Sequence, residues 1–174
     1  MNTKVLVSLS LLVGIGAALH MIIPGLGLGM KYDMMLTMMF LAIVLFPEKK
    51  NVFLVAVASG VISGLTSTFP GGGLIPNIID KFVTAFVFYF MFLALKRYAK
   101  STVTVGALTA IGTLISGAVF LGSAYLIIQL PGPFMALFVG IVLPTAAVNT
   151  IIIVILYPIV REIFKKSNIT AQAQ

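Results

Sequence analysis

Cysteine is absent from this chain of 174 residues, and histidine occurs once, at His20. The absence of cysteine excludes disulfides, thiolate chemistry and cysteine metal sites, and a single histidine leaves no histidine cluster for a metal. The phosphate loop G-x-x-x-x-G-K-[ST], the zinc motif H-E-x-x-H and the nucleophile motif G-x-S-x-G are missing as well. We therefore expect a protein that is not an enzyme, holds no cofactor and does not use ATP through that loop.

Charged residues are also scarce. They make up 9% of the chain, whereas 60% of the residues are hydrophobic, and a soluble domain carries roughly 25% charged residues. A chain this apolar must have lipid as its solvent, which predicts an integral membrane protein. We expect a single transmembrane substrate-binding domain, residues 1–174, because no polar linker or soluble insertion is long enough for a second domain.

The apolar runs predict an all-α bundle of six transmembrane helices, because solid apolar runs are unlike the alternating pattern of barrel strands. The predicted helices are residues 5–23, 31–46, 52–69, 77–95, 102–128 and 134–164, followed by a polar tail at 165–174. A signal peptide is the competing interpretation of the first run, but similar spans follow it without interruption. Proline predicts breaks in the sixth helix at Pro144 and Pro158.

The net charge of +7 is explained by membrane topology better than by nucleic-acid binding, because the basic residues lie in short clusters beside the apolar spans. Nine of the 11 basic residues fall on one side of the predicted membrane: Lys4, Lys49, Lys50, Lys96, Arg97, Lys100, Arg161, Lys165 and Lys166. Lys31 and Lys81 fall on the other side. The positive-inside rule then predicts cytoplasmic termini and outer loops at residues 24–30, 70–76 and 129–133.

The fourth helix carries a polar stripe in an otherwise apolar span. Asn77, Asp80, Lys81 and Thr84 follow one another at i, i+3, i+4 and i+7, which places them on one helix face. Charge inside a bilayer costs about 2.5–3.5 kcal/mol per residue at a helix centre, so an acid and a base there need partners. One interpretation is an ion pair that satisfies itself.

The functional interpretation is a pocket for a small zwitterion. An ammonium group would face Asp80, with Asp33 in support, and a carboxylate would face the basic or amide side chains of Lys31, Lys81 and Asn77. Further polar candidates on the fifth and sixth helices are Thr113, Ser116 and Asn149, and the aromatic pocket candidates are Phe86 and Phe120. Close packing between helices is the alternative for the polar residues among them.

Ser10, Gly14 and Ala18 form a small-xxx-small pattern on the first helix. Such a pattern permits close approach of another helix. It indicates either contact within the bundle or an exposed surface for docking of a partner protein.

Several short motifs in one register give the chain its resemblance to a known family. They are Gly14 to His20, Met30 to Met35, Ile75 to Lys81, Leu130-Pro131-Gly132, Leu143 to Thr150 and Tyr157 to Val160. With these motifs the chain resembles the substrate-binding S components of energy-coupling factor (ECF) transporters, and among them the TrpP family of predicted tryptophan transporters.

The resemblance implies six helices with cytoplasmic termini in a bacterial plasma membrane, and a pocket near the outer face built from the first outer loop and helices four to six. It implies L-tryptophan as substrate, and as partners a membrane scaffold protein and two ATPase subunits, with small residues of helix one contacting the scaffold. The alternatives are a stand-alone ion-coupled carrier of an aromatic amino acid, an S component for another small substrate, or a structural membrane protein. Against the carrier, the two halves of the chain show no convincing internal repeat.

Overall fold

The computed structural model describes residues 2–23, 31–98 and 101–166. Within these ranges every regular element is helical: α1 (Thr3–Ile22), α2 (Met34–Leu45), α3 (Lys49–Leu65), α4 (Leu74–Ala94), α5 (Thr102–Ile127) and α6 (Phe134–Lys166). The predicted all-α membrane fold of six helices is confirmed for this part of the chain. The predicted outer loop at residues 24–30 and the tail beyond Lys166 lie outside the described residues.

Four helices, α1, α4, α5 and α6, are long and apolar enough to cross a bilayer. Large apolar side chains such as Val7, Leu126 and Ile163 lie exposed on the outside of the bundle. A water-soluble protein rarely exposes so much contiguous apolar surface, whereas lipid chains solvate it without cost. The exterior of the bundle is therefore a surface for lipid.

The short helix α2 lies at the centre of the bundle. All 12 of its residues are buried, and it contacts α1, α3, α4, α5 and α6. The Asp33 carboxylate caps its first turn by accepting a hydrogen bond of 3.1 Å from the Leu36 backbone N–H. An aspartate at this position satisfies one of the unpaired amides of the helix N-terminus. The N-terminus of the central helix thus carries a negative charge into the bundle.

Helices α3 and α4 both begin and end earlier along the chain than the sequence predicts. Helix α4 begins at Leu74 rather than at residue 77, with Pro76 inside its first turn. Proline is tolerated there because the missing N–H would have no partner within the helix. Between the two helices Gly71 and Gly72 adopt positive φ values, at which glycine has no steric penalty.

Helix α6 runs continuously past both of its prolines. The predicted breaks at Pro144 and Pro158 are wrong: a π-helical segment, Phe138–Val142, precedes Pro144, and Pro158 lies within the helix. Proline removes one backbone donor, and a local π turn re-pairs the neighbouring groups without ending a membrane helix. A Cβ atom at Gly117 of α5 would lie 2.2 Å from a Val142 methyl carbon. Glycine at this position therefore permits the close approach of α5 to the π turn.

Candidate functional site

A cavity lies at the end of the bundle where α1, α3 and α5 end and α2, α4 and α6 begin. It contains about 620 Å³ of empty space, which includes space open to the exterior. In the orientation that the basic residues predict, this end of the bundle faces the outside of the cell. All six helices, or the residues that adjoin them, contribute to the cavity wall.

Three charged side chains form an ion triad beside the cavity, which we call the Asp33–Lys81–Asp80 triad. The Lys81 ammonium nitrogen lies 2.5 Å from Asp33 Oδ2 and 2.5 Å from Asp80 Oδ2. Asp80 and Lys81 are each 1% exposed. With both carboxylates ionised, one lysine balances one of them and the triad carries one negative charge in excess.

Hydrogen bonds fix both carboxylates of the triad. Asp80 Oδ1 accepts a bond of 2.9 Å from the Thr84 hydroxyl, and the Ser116 hydroxyl of α5 also lies beside this carboxylate. Asp33 binds the α2 amide described above and is the more accessible of the two, with a side chain that is 21% exposed. Both aspartates line the cavity, whereas Lys81 lies behind them and is not part of the wall. Lys81 therefore joins α4 to the N-terminus of α2.

The other polar candidates divide between the wall and the layer behind it. Lys31, Asn77, Thr113 and Ser116 line the cavity, and the Asn77 amide donates a hydrogen bond of 2.7 Å to the Gly73 carbonyl. Asn149 is fully buried and does not line the cavity.

Asn149 connects three helices. Its amide nitrogen lies 3.3 Å from the Asp33 carbonyl oxygen and 3.4 Å from Thr113 Oγ1. These contacts join α6 to α5 and to the residue that caps α2. Asn149 thus fixes the position of Thr113, which itself reaches the cavity.

An aromatic pair also lines the cavity. Phe120 of α5 and Phe69, which follows α3, line the cavity and pack edge to face with ring centroids 5.2 Å apart. The other predicted aromatic residue, Phe86, lies away from the cavity and contacts Phe82 with centroids 5.2 Å apart. Phe82 is largely exposed, so Phe86 belongs to the side of α4 that is turned away from the site.

Sequence reasoning missed several wall residues, among them His20, Phe69 and Thr145. From the sequence, a lone histidine near the end of an apolar helix is more often a hydrogen-bonded residue at the membrane interface than a ligand-binding residue. In the structure, His20 is buried in the cavity wall instead. His20 is 6% exposed and lines the cavity, and its Nδ1 atom has no hydrogen-bond partner among the described residues.

The small residues Ser10, Gly14 and Ala18 of α1 lie on the outside of the bundle and are exposed. A Cβ atom at Gly14 would meet no other atom within 4 Å. The small residue that packs inside is Gly16, where an added Cβ would lie 2.9 Å from the Met35 sulfur. The pattern at positions 10, 14 and 18 therefore does not serve packing within the described bundle.

A partly polar cavity enclosed by apolar helices is typical of multi-pass membrane proteins that bind small molecules, transport proteins among them. Comparison with known sequences specifies the family. The profile of the family "Tryptophan transporter TrpP" matches residues 2–165, and the chain belongs to this family. It is accordingly a multi-pass membrane protein of bacteria.

Curated relatives agree with the family. The chain is 52% identical over its whole length to a protein of the same extent from Bacillus subtilis (strain 168), named "Probable tryptophan transport protein". A protein of the same name from Clostridium perfringens is 36% identical, with 97% of each chain covered. Another from Clostridium acetobutylicum is 38% identical, with 93% of this chain and 94% of the relative covered. No solved structure matches the chain.

Proposed function

We propose that this chain is the membrane-embedded substrate-binding subunit of a tryptophan importer and that L-tryptophan binds in the cavity. One observation carries the proposal: a single cavity is lined both by the carboxylates of the triad and by the Phe69–Phe120 aromatic pair. Tryptophan has the matching division into a zwitterionic backbone and a large aromatic ring. The names of the relatives support the same substrate.

The charged ends of the ligand have separate partners in this proposal. The ammonium group binds Asp33 and Asp80, which retain acceptor capacity and the excess negative charge of the triad. The carboxylate binds Lys31 and Asn77 at the wall. Lys81 acts indirectly by holding the two aspartates in place, because both of its carboxylate contacts are internal.

The indole ring lies against Phe120 and Phe69 in this proposal. Edge-to-face and offset contacts between aromatic rings contribute about 0.5–1.5 kcal/mol beyond their buried area. Leu36, Ile141 and Val142 add aliphatic surface to the cavity wall. Aliphatic surface of this kind suits a large planar ring.

The chain contains no ATP-binding loop of the G-x-x-x-x-G-K-[ST] type, so uptake driven by ATP through such a loop would need another subunit. We propose that an ECF scaffold protein docks on the exposed surface of Ser10, Gly14 and Ala18 and couples the chain to two ATPase subunits. Contacts between helices in lipid depend on close backbone approach. The open space at Gly14 permits such an approach.

Gly14→Leu tests this docking surface. We expect the variant to fold and to bind tryptophan in detergent, since Gly14 is exposed and a Cβ atom added there meets nothing within 4 Å. It should lose co-purification with the scaffold, and tryptophan uptake should fall to the level of cells that lack the scaffold and ATPases.

Gly122→Leu on α5 is the matched control, because a Cβ atom there also meets nothing within 4 Å. It should leave uptake unchanged. Normal uptake by a folded Gly14→Leu protein would exclude α1 as the docking face. Tryptophan uptake by wild-type protein in cells without scaffold and ATPases would instead show a stand-alone carrier.

A further inference from the structure

His20 has an unpaired ring nitrogen at the edge of the ion triad. The residue lines the cavity, and its Nδ1 atom is buried and has no hydrogen-bond partner among residues 2–23, 31–98 and 101–166. Asp33 Oδ1 lies 3.7 Å from this atom. This distance is too long for a hydrogen bond. A buried nitrogen without a partner costs free energy unless something else satisfies it.

The neighbouring carboxylate oxygen, Asp33 Oδ1, can also accept a further hydrogen bond. Asp33 Oδ1 accepts one hydrogen bond, from the Leu36 N–H, and a carboxylate oxygen has room for a second. The other oxygen, Oδ2, contacts Lys81. His20 Nδ1 and Asp33 Oδ1 therefore lie 3.7 Å apart on two residues of the cavity wall, and among the described residues no hydrogen bond joins them. A group that donates two hydrogen bonds at once and carries positive charge satisfies both.

We propose that His20 Nδ1 and Asp33 Oδ1 together form a subsite for the protonated amine of the ligand, and that His20 determines the preference for amines over acids. The inference rests on the proposed function, since it assigns the ammonium end of the same ligand. The ammonium donates one N–H to the neutral imidazole and another to the carboxylate. The excess negative charge of the triad opposes any ligand that presents a carboxylate alone.

The test compares three ligands at about pH 8, where an ordinary imidazole is neutral. L-Tryptophan carries both charged groups, tryptamine only the amine and indole-3-propionate only the carboxylate. We expect the wild-type protein to bind tryptamine more tightly than indole-3-propionate by about 100-fold or more. Equal or tighter binding of indole-3-propionate would overturn the subsite, and this comparison needs no variant.

His20→Leu removes the acceptor while it keeps an apolar side chain in the wall. It should weaken tryptophan and tryptamine by about 10- to 100-fold and leave indole-3-propionate unchanged. His20→Asn is the conservative variant, since its amide oxygen stands close to the Nδ1 position and should restore much of the lost affinity. An equal loss for all three ligands would show a packing role and refute the proposal.

A different result would refute the proposed function. A folded wild-type protein that binds neither tryptophan nor tryptamine would refute the substrate itself, and the amine subsite with it. If the wild-type protein binds both and His20→Leu weakens neither, the substrate stands and only the role of His20 is refuted.

Discussion

Lys81→Met should destabilise the protein by about 3–5 kcal/mol, the usual cost of removing one partner from a buried ion pair. The change removes the cation that contacts both Asp33 and Asp80. Lys81 is 1% exposed, so water cannot replace its charge at this position. It also releases α4 from the N-terminus of α2. Thermal unfolding of the purified variants in one detergent measures the loss as a lower Tm.

Lys31→Met is the matched control, because Lys31 lines the cavity and stands partly exposed. It should leave the Tm close to that of the wild type and weaken ligand binding through loss of the carboxylate partner. A triple variant, Lys81→Met with Asp33→Asn and Asp80→Asn, should regain part of the stability, because it leaves no unpaired charge at the triad. It should still not bind tryptophan. Equal Tm values for the two lysine variants would contradict the structural role of Lys81.

Thr113→Val should remove most of the selectivity for ligands with an indole N–H. Thr113 lines the cavity and its hydroxyl oxygen accepts a hydrogen bond from the Asn149 amide, which leaves room for this oxygen to accept one more. A site built to bind such a group can reject an analogue that lacks it by about 10⁴–10⁵-fold. We therefore expect wild-type protein to prefer tryptophan strongly to phenylalanine and to the benzothienyl analogue, in which sulfur replaces the N–H.

The benzothienyl analogue isolates the N–H, because its ring has nearly the size of indole. Thr113→Val should bind the two ligands almost equally. Thr109→Val is the control: Thr109 lies one turn earlier on α5, is fully buried, and donates its hydroxyl hydrogen to the Val105 carbonyl. It should keep the selectivity of the wild type. Competition by phenylalanine as effective as that by tryptophan would show that another substrate is bound.

Periodicity alone predicted the polar face of α4 correctly. Asn77, Asp80, Lys81 and Thr84 are all buried on one side of the helix, and Thr84 bonds to Asp80 across one turn as an i, i+4 pair does. Spacing in one helix could not predict the role of Lys81. Its second carboxylate, Asp33, belongs to a different helix, and only tertiary packing brings the two together.

The aromatic candidates show what the sequence could and could not reveal. Phe86 follows Asp80 by six residues, which rotates it by about 240° around the helix, away from the polar face. The spacing of Phe86 from Asp80 therefore argued against a place for Phe86 in the cavity wall. Phe88, eight residues after Asp80, lies on the polar side and is buried against Phe40 in a stacked pair with centroids 4.0 Å apart. No local pattern indicates Phe69, because it follows α3 in an irregular segment.

The central claim, that the cavity binds L-tryptophan, is tested most directly by titrating L-tryptophan into the purified wild-type chain and into Asp80→Asn. We predict saturable binding of one tryptophan by the wild type. A folded Asp80→Asn protein should bind more weakly by orders of magnitude, because truncating one partner of a buried charge pair commonly costs about 2–5 kcal/mol. No binding by folded wild-type protein, or equal affinity in the two proteins, would contradict the account.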